Sequence, residues 1–278
     1  MINRIDLSNE SLIDTKATSS KGNQLKWLVG GKWYKADHMG YEGLCEVVIS
    51  RLLMKSNVKD FVHYQPVMIV FDSKEYTGCY SDNFRAKNES IVTLEHLSKQ
   101  WLANSFAKEL LRYEEPKDKI RHTVEFIEKV TKLKNVGAYL TAMLELDAFF
   151  LNEDRHTNNI AFILNDDTGE YRWCPYFDFG LSLLADTTED YPMGEDVYQL
   201  IGKIHAKPFD RDFDTQLDTA EEFFGTQVRF SFTRADIDAA LNEVAAYYPA
   251  DIIERARNIL YQQRKKYQYL FVFTGAKK

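Results

Sequence analysis

The 278-residue sequence is poor in cysteine, and the three cysteines that it has are widely separated. Cys45, Cys79 and Cys174 form no Cys-x-x-Cys pair and no paired spacing with histidine. Zinc sites and disulfide frameworks need cysteines at such spacings, so the sequence indicates neither. We expect each cysteine to be a small buried apolar side chain.

Long apolar runs and blocks of positive charge are also lacking. Apolar runs such as 67–71 and 148–151 are far shorter than the roughly 20 residues of a membrane-spanning helix. The acidic start of the chain has neither the basic nor the apolar part of a signal peptide. The formal net charge is −7, without a basic block that could follow a phosphate backbone. We expect a soluble, cytoplasmic protein that binds neither membrane nor nucleic acid directly. The alternative that the protein is a secreted effector stays open.

The composition is otherwise that of a globular protein, with 45% hydrophobic and 28% charged residues. Neither an internal repeat nor a low-complexity stretch interrupts it. The length fits one bilobal domain or two small domains that share a cleft. The 18 Phe and 16 Tyr residues occur at helical and strand spacing, which is typical of core positions.

The first part of the sequence has the pattern of a β-rich unit. Residues 1–24 are polar and indicate a loop. Gly30 and Gly31 separate two short strand-like runs within 25–36, which predicts a hairpin. Apolar spacing predicts a helix over 41–54, and two further strands follow at about 63–71 and 76–80.

The second part is dominated by helical patterns. These cover about 93–113, 118–133 and 136–151, and strands are predicted at 160–164 and 171–177. Beyond Gly194 the chain is helical again, with a capping-box start at Thr233 and Asp236. The sequence therefore predicts an α+β fold with a β-rich N-lobe over residues 1–84 and an α-helical C-lobe over 85–278, joined by a polar hinge near 82–89.

One segment carries most of the chemical information. Asn159 follows Asp154 by five residues, and Asp178-Phe179-Gly180 begins nineteen residues after Asn159. Kinase catalytic loops have the same Asp-to-Asn spacing, in which Asp is the base and Asn holds magnesium. Asp178 stands at the end of the next predicted hairpin, where an aspartate can bridge phosphates through the metal. An Asp-Phe-Gly triplet alone is weak, but this order favours a bilobal protein-kinase-like fold over a generic α+β domain.

The upstream half of the sequence offers the remaining parts of such a site. Phosphoryl transfer needs a strand lysine for the phosphates and a helix glutamate that holds the lysine. Lys35 ends a predicted strand, and Glu46 lies on the helix that follows. Glu42 is an alternative partner, because it lies one turn earlier on the same helix face.

These motifs resemble those of the HipA-like kinases, a bacterial group whose fold is similar to that of phosphoinositide kinases. The resemblance covers about residues 26–213, and it is carried by Asp154-Arg155-His156-x-x-Asn159, Asp178-Phe179-Gly180, Tyr41-Glu42-Gly43-Leu44-Cys45-Glu46 and Ala206-Lys207-Pro208-Phe209.

The resemblance implies an ATP- and Mg²⁺-dependent enzyme with assigned residue roles. Asp154 would be the catalytic base, Asn159 and Asp178 the metal ligands, Lys35 the phosphate contact and Glu46 its support. A loop over residues 18–23 would cover the phosphates, with autophosphorylation at a serine. The residues implied for that loop are Ser19, Ser20 and Gly22, with Ser19 or Ser20 as the phosphorylated serine. The residues implied to contact adenine are Ser81, Asp82, Asn83 and Phe84. His156 fits a phosphate contact and a structural hydrogen-bonding role equally well.

The sequence departs from the related patterns in two places. The loop over 18–23 has one glycine, Gly22, where eukaryotic-type kinases have three. We expect no counterpart of the N-terminal module with which HipA contacts its antitoxin, which would place the chain nearer the short stand-alone members and leaves an antitoxin partner open. The acidic stretch 186–196 is either an activation or substrate segment or a solvated loop.

The sequence thus favours a kinase that phosphorylates serine or threonine of an unidentified protein. A lipid or small-molecule kinase is an alternative because of the phosphoinositide-type loop, although no polybasic membrane patch supports it. A non-catalytic nucleotide-binding regulatory module is a third possibility. The intact set of Asp154, Asn159 and Asp178 argues against it, since such a module needs no base.

Overall fold

The structure is a computed structural model that describes residues 2–13 and 24–272. Its strands are β1 Arg4–Asp6, β2 Lys26–Val29, β3 Lys32–Ala36, β4 Tyr64–Phe71, β5 Lys74–Asp82, β6 Glu89–Thr93, β7 Ala161–Asn165 and β8 Tyr171–Trp173. Its helices are α1 Glu42–Leu53, α2 Leu94–Leu102, α3 Phe106–Leu110, α4 Pro116–Thr131, α5 Val136–Phe150, α6 Val197–Ile201, α7 Phe213–Phe224, α8 Arg234–Val244 and α9 Ala250–Lys266. The mixed α+β composition that the sequence predicts is confirmed.

The described residues form two compact units that do not follow chain order. Unit 1 takes those within Met1–Asn83, Asp178–Ile204 and Val228–Lys278, and unit 2 takes Phe84–Phe177 and His205–Gln227. Asp178 thus belongs to unit 1, whereas Asp154 and Asn159 belong to unit 2. The lobes at 1–84 and 85–278 stay a prediction.

Unit 1 contains a five-stranded sheet in the order β1-β4-β5-β3-β2. The β2–β3 hairpin turns at Gly30 and Gly31, both with positive φ, as the two-residue Gly-Gly connection predicts. The turn pairs Lys26 directly with Lys35. Residues directly opposite each other on antiparallel strands point to the same face of the sheet, so these two lysines share a face.

Helix α1 is the central helix of unit 1 and is buried on nearly every side. It packs against β4, β5 and α8. Gly43 permits the contact with the sheet, because a Cβ at this position would lie 2.7 Å from the Gly78 carbonyl carbon. A helix enclosed in this way has a fixed position, and it carries Glu46.

Unit 2 combines the antiparallel sheet β6-β7-β8 with helices α2 to α5 and α7. Helix α5 is buried around most of its circumference and packs against α4 and α7. Gly137 lets α7 approach closely, because a Cβ there would lie 2.2 Å from the Phe224 ring. The segment from Asn152 to Asn159 begins where α5 ends, at Leu151 in a left-handed conformation.

The structure corrects three local predictions. The helix predicted over 93–113 is two helices, α2 and α3, because Ala103 adopts φ +53° and ends the first. Strand β6 occupies part of the predicted hinge, and its last residue, Thr93, caps α2 by accepting a hydrogen bond from the His96 amide. Strand β1 lies in the predicted N-terminal loop and pairs in parallel with β4.

Other predictions from the sequence are confirmed. Cys45, Cys79 and Cys174 are buried, as expected. Thr233 and Asp236 form the capping box at the start of α8. Among residues 2–13 and 24–272, no helix has both the length and the apolar character that crossing a membrane requires.

Candidate active site

A lysine held by two carboxylates is the central feature of the candidate site in unit 1. The Lys35 ammonium lies 2.6 Å from Glu46 Oε1 and 2.9 Å from Asp178 Oδ1. The Lys35 and Glu46 side chains are only 11% and 2% exposed, while Asp178 is 25% exposed. Tyr64 completes the surroundings with its hydroxyl 3.5 Å from Lys35 Nζ. The structure thus brings together the predicted strand lysine, its predicted helix glutamate and the aspartate of Asp178-Phe179-Gly180.

The two carboxylates keep the lysine charged. Burial by itself lowers the pKa of Lys35, but the nearby Asp178 and Glu46 carboxylates outweigh it and hold the pKa well above its ordinary value. The site therefore presents a permanent ammonium beside a partly exposed carboxylate, which suits the binding of metal-complexed phosphates.

Glu46 also fixes the backbone around Asp178. Its second carboxylate oxygen, Oε2, accepts a hydrogen bond of 3.1 Å from the Phe179 amide. Asp178 has φ +63°, a conformation that costs a non-glycine residue about 1–3 kcal/mol and is retained where the surroundings impose it. The buried Phe179 side chain and the Glu46 contact supply such surroundings.

Glu42, the alternative partner for Lys35, has a different role. Its carboxylate accepts hydrogen bonds from the backbone amides of His38, Met39 and Gly40, at 3.0, 2.7 and 3.0 Å. It therefore closes the turn that leads into α1. Glu46 is the helix glutamate that contacts Lys35.

Asp37 connects the start of α1 to the C-terminal part of unit 1. Its carboxylate accepts hydrogen bonds from the Gly43 amide at 2.6 Å and from the Thr77 and Tyr248 hydroxyls at 2.8 Å each. Burial, and then the Glu42 carboxylate, raise the pKa of Asp37 to about 7.

Sequence reasoning missed Lys26, a second lysine near Lys35, Glu46 and Asp178. Burial lowers the pKa of Lys26, while the Asp178 carboxylate counteracts this effect. The signal was present in the sequence, because a two-residue turn at Gly30 and Gly31 places Lys26 opposite Lys35.

In unit 2 a buried ion pair supports the segment from Asn152 to Asn159. Arg155 donates from Nε to Asp147 Oδ2 at 2.9 Å and from Nη2 to Asp147 Oδ1 at 3.0 Å, and both side chains are almost fully buried. Asn152 donates a further bond of 2.7 Å to Asp147 Oδ1. Arg155 Nη1 also donates to the carbonyls of Asn159 and Phe177. The pair therefore fixes both ends of this segment and the residue that precedes Asp178 in the chain.

The predicted base, Asp154, lies on this segment with its side chain 15% exposed. Lys207 Nζ is 3.4 Å from Asp154 Oδ1, and His156 Nε2 is 3.7 Å from Oδ2. The His156 Nδ1 accepts a hydrogen bond from the Asn158 amide, so the proton of the neutral ring lies on Nε2. His156 thus has a structural hydrogen bond and still turns its other nitrogen towards Asp154.

Asn159 is oriented by its amide nitrogen. Nδ2 donates a hydrogen bond of 2.8 Å to the Asp154 carbonyl, which leaves the Oδ1 oxygen as the end of the side chain that can bind a metal. The same contact fixes the positions of Asn159 and Asp154 relative to each other.

The residues predicted to contact adenine lie at the end of β5 and just beyond it. Ser81 is buried within the sheet, Asp82 pairs with Lys32 at 2.5 Å, and Asn83 accepts a hydrogen bond from the Trp33 ring nitrogen. Phe84 belongs to unit 2, where its ring lies 6.3 Å from that of Phe177. Their contact with adenine stays a prediction.

The residues predicted to cover the phosphates, Ser19, Ser20 and Gly22, lie outside the described residues. The acidic stretch 186–196 is described. Its first residue, Asp186, is buried and accepts a hydrogen bond from the Glu189 amide, and the amides of Thr187 and Thr188 donate to the Met39 carbonyl. This end is therefore attached to the turn before α1, whereas residues 188–190, 192 and 194–196 are exposed, as in a solvated loop.

The fold is similar to those of known proteins. No protein family and no curated protein matches the sequence. Among solved structures, the chain is similar to the proinflammatory kinase CtkA of Helicobacter pylori, with 14% identity, a TM-score of 0.61 and coverage of 95% of this chain and 94% of CtkA. It is also similar to HipA of Shewanella oneidensis MR-1, solved with HipB and operator DNA, with 14% identity, a TM-score of 0.50 and coverage of 93% of this chain and 67% of HipA. The described chain therefore has the α+β fold of the HipA-like kinases, as its motifs predict.

Proposed function

We propose that this protein is an ATP- and Mg²⁺-dependent kinase that phosphorylates serine or threonine side chains of a protein. The observation that carries the proposal is the contact of Lys35 with both Glu46 and Asp178. A fold alone does not specify an activity, but kinases need this lysine, this glutamate and this aspartate together.

The residues fit a magnesium nucleotide. Asn159 Oδ1 and the Asp178 carboxylate are hard oxygen ligands of the kind that Mg²⁺ prefers. Lys35 and Lys26 are cations on one face of a sheet, suited to phosphate oxygens. Bound magnesium would neutralise charge on the phosphates, and Glu46 would keep Lys35 in position.

The proposed step is a direct transfer of the terminal phosphoryl group. A bond forms between the acceptor hydroxyl oxygen and the γ-phosphorus, and the bond from that phosphorus to the β–γ bridging oxygen breaks, which releases ADP. The hydroxyl proton passes to Asp154, whose position is fixed through Asn159 and Arg155. The protein contributes mainly orientation and charge stabilisation.

The finer parts of the proposal concern the acceptor. Ser19 or Ser20 is the proposed site of autophosphorylation, and the proposed external substrate is a protein in the cytoplasm, where ATP is available. The similar Helicobacter protein is described as a kinase, which supports phosphoryl transfer as the activity. HipA was solved with HipB, so co-purification from the native host tests whether this chain has an antitoxin partner.

The test is transfer of label from [γ-³²P]ATP to the protein itself and to a mixture of host proteins. The wild type is compared with Asp154→Asn, which removes the base with little change of shape. Glu170→Gln is the matched control, because Glu170 is an exposed carboxyl residue of the same unit. Label with the wild type and the control, but not with Asp154→Asn, is the expected result.

Binding of MgATP by calorimetry separates the kinase from a regulatory module. A kinase binds and transfers. Nucleotide binding without transfer to any acceptor by the wild type would contradict the proposed function and identify a module. Phosphoproteomics of cells that produce the wild type or Asp154→Asn would then identify the acceptor.

A further inference from the structure

The side chain of Lys207 lies against the carboxylate of Asp154, although 53 residues separate them in the sequence. Both belong to unit 2. The ammonium is 3.4 Å from Asp154 Oδ1, and the Lys207 side chain is 41% exposed. The cation therefore stands beside the predicted base and in contact with solvent.

The backbone around Lys207 is held in place by buried polar groups. Gln216, which is fully buried on α7, donates from Nε2 to the Lys207 carbonyl at 3.2 Å. Its Oε1 accepts a hydrogen bond of 3.3 Å from the Phe209 amide. Lys119 on α4 donates to the Phe209 carbonyl at 3.0 Å. Two helices thus fix the segment from which Lys207 extends.

The contact between Lys207 and Asp154 is not of the kind that stabilises a fold. A half-exposed lysine at 3.4 Å is screened by water, and such pairs contribute little to stability. By contrast, the neighbouring Arg155–Asp147 pair is buried and bidentate. A well-fixed backbone with a weakly held ammonium at its end is suited to a cation that changes partner during a reaction.

We propose that Lys207 is a further catalytic residue, which contacts the transferred phosphoryl group in the transition state. The inference rests on the proposed kinase function. As Asp154 accepts the proton of the hydroxyl, the negative charge beside Lys207 disappears, and the ammonium is released to the equatorial oxygens of the transferred group. Lys207 itself forms and breaks no covalent bond. Gln216 is a positioning residue, since it acts only through the backbone of Lys207.

The experiment measures kcat and the KM for ATP in Lys207→Met and Lys207→Arg. Removal of one charged donor to a transition state is expected to lower kcat about 100-fold. The KM for ATP is expected to change less than about threefold, because the contact strengthens only in the transition state. Lys207→Arg retains the charge and is expected to recover part of the rate.

Two further measurements separate catalysis from structure. Affinity for MgADP with aluminium fluoride, a mimic of the transferred group, is expected to fall in Lys207→Met, while affinity for MgADP alone is unchanged. Gln216→Ala is expected to lower kcat, and the double variant Lys207→Met/Gln216→Ala should be no slower than Lys207→Met alone. Thermal unfolding of each variant identifies any loss of rate that comes from unfolding.

Lys203→Met is the matched control, because Lys203 is an exposed lysine that lies 3.6 Å from Glu195, a carboxylate with no role in the proposed site. It is expected to keep the wild-type rate. If the wild type and Lys207→Met transfer at equal rates while Asp154→Asn is inactive, the inference is overturned and the kinase proposal stands. If the wild type transfers nothing, both are overturned.

Discussion

Charged residues are arranged differently in the two units. In unit 1 the lysine predicted to bind phosphate is itself part of a buried cluster, in which Lys35 contacts Glu46 and Asp178 at 2.6 and 2.9 Å. In unit 2 the buried pair, Arg155 and Asp147, lies beneath the segment that carries the predicted base, and Asp154 itself is flanked by Lys207 at 3.4 Å.

We interpret this difference as a distinction between residues that position the nucleotide and a residue that takes part in the reaction. Groups that hold a nucleotide can be fixed before it binds, so their charges are paired closely. A group that accepts a proton changes its charge during the reaction, and a close permanent partner would oppose that change. We therefore expect substitutions in unit 1 to act on binding and metal placement, and substitutions of the buried pair in unit 2 to act mainly on stability.

The largest effect is expected from Asp178→Ala. It removes a proposed metal ligand together with one partner of Lys35, so transfer should fall by on the order of 10³ or more. Single-turnover transfer of label at saturating MgATP is the measurement. Magnesium-dependent transfer at the wild-type rate would count against the assignment of Asp178.

Asp147→Ala is expected to reduce the free energy of unfolding by about 3–5 kcal/mol, because it leaves the Arg155 guanidinium buried without its carboxylate. Chemical denaturation measures this loss. Glu46→Ala, in unit 1, should reduce the free energy of unfolding by less, since Lys35 keeps Asp178 as a partner. Equal losses in the two variants would refute the contrast between the units.

Lys35→Met is expected to lower kcat/KM for ATP about 100-fold, because one fixed cation for the phosphates is lost. Steady-state kinetics over a range of ATP concentrations is the measurement. Lys32→Met is the control, because Lys32 lies on the same strand but contacts the exposed Asp82. Unchanged turnover in Lys35→Met would remove Lys35 from the site.

The effect expected from Asp37→Asn is the smallest when counted per pH unit, and it concerns the pH dependence of stability. The pKa of Asp37 is about 7 in the folded protein, above its ordinary value near 3.8. Its contribution to stability is therefore complete below about pH 4 and is lost as the pH rises through 7, with a slope of at most about 1.4 kcal/mol per pH unit. Denaturation at pH 5, 6, 7 and 8 should show a flatter decline in Asp37→Asn than in the wild type. Parallel curves would mean that Asp37 does not titrate in this range.

The sequence predicts those parts of the site that depend on short spacings. Gly30 and Gly31 specify a hairpin, and the order of Asp154, Asn159 and Asp178 specifies a kinase-like scheme. Helical periodicity places Glu46 on the helix after Lys35, and the structure resolves the choice between Glu46 and Glu42 through the backbone amides that Glu42 binds.

The parts that could not be predicted depend on contacts between distant segments. The motif Ala206-Lys207-Pro208-Phe209 resembles a kinase stretch, but it does not indicate that Lys207 lies beside Asp154. Strand β1 has three residues and is defined by its pairing with β4, more than 60 positions away. Asp147 did leave a signal, because a carboxylate within the apolar helix α5 needs a buried partner, but the sequence does not say which arginine supplies it.

One oxygen of the Glu46 carboxylate contacts Lys35 and the other accepts a hydrogen bond from the Phe179 amide, so the two contacts are coupled. The side chain of Lys35 and the backbone that follows Asp178 cannot be released one at a time by moving α1. Withdrawal of this helix would leave an ammonium without one of its two carboxylates and a buried amide unpaired at once, so intermediate positions of α1 are unfavourable. Loss of order at this cluster should therefore be all-or-none, and a spectroscopic probe on α1 should report two states without a continuum between them.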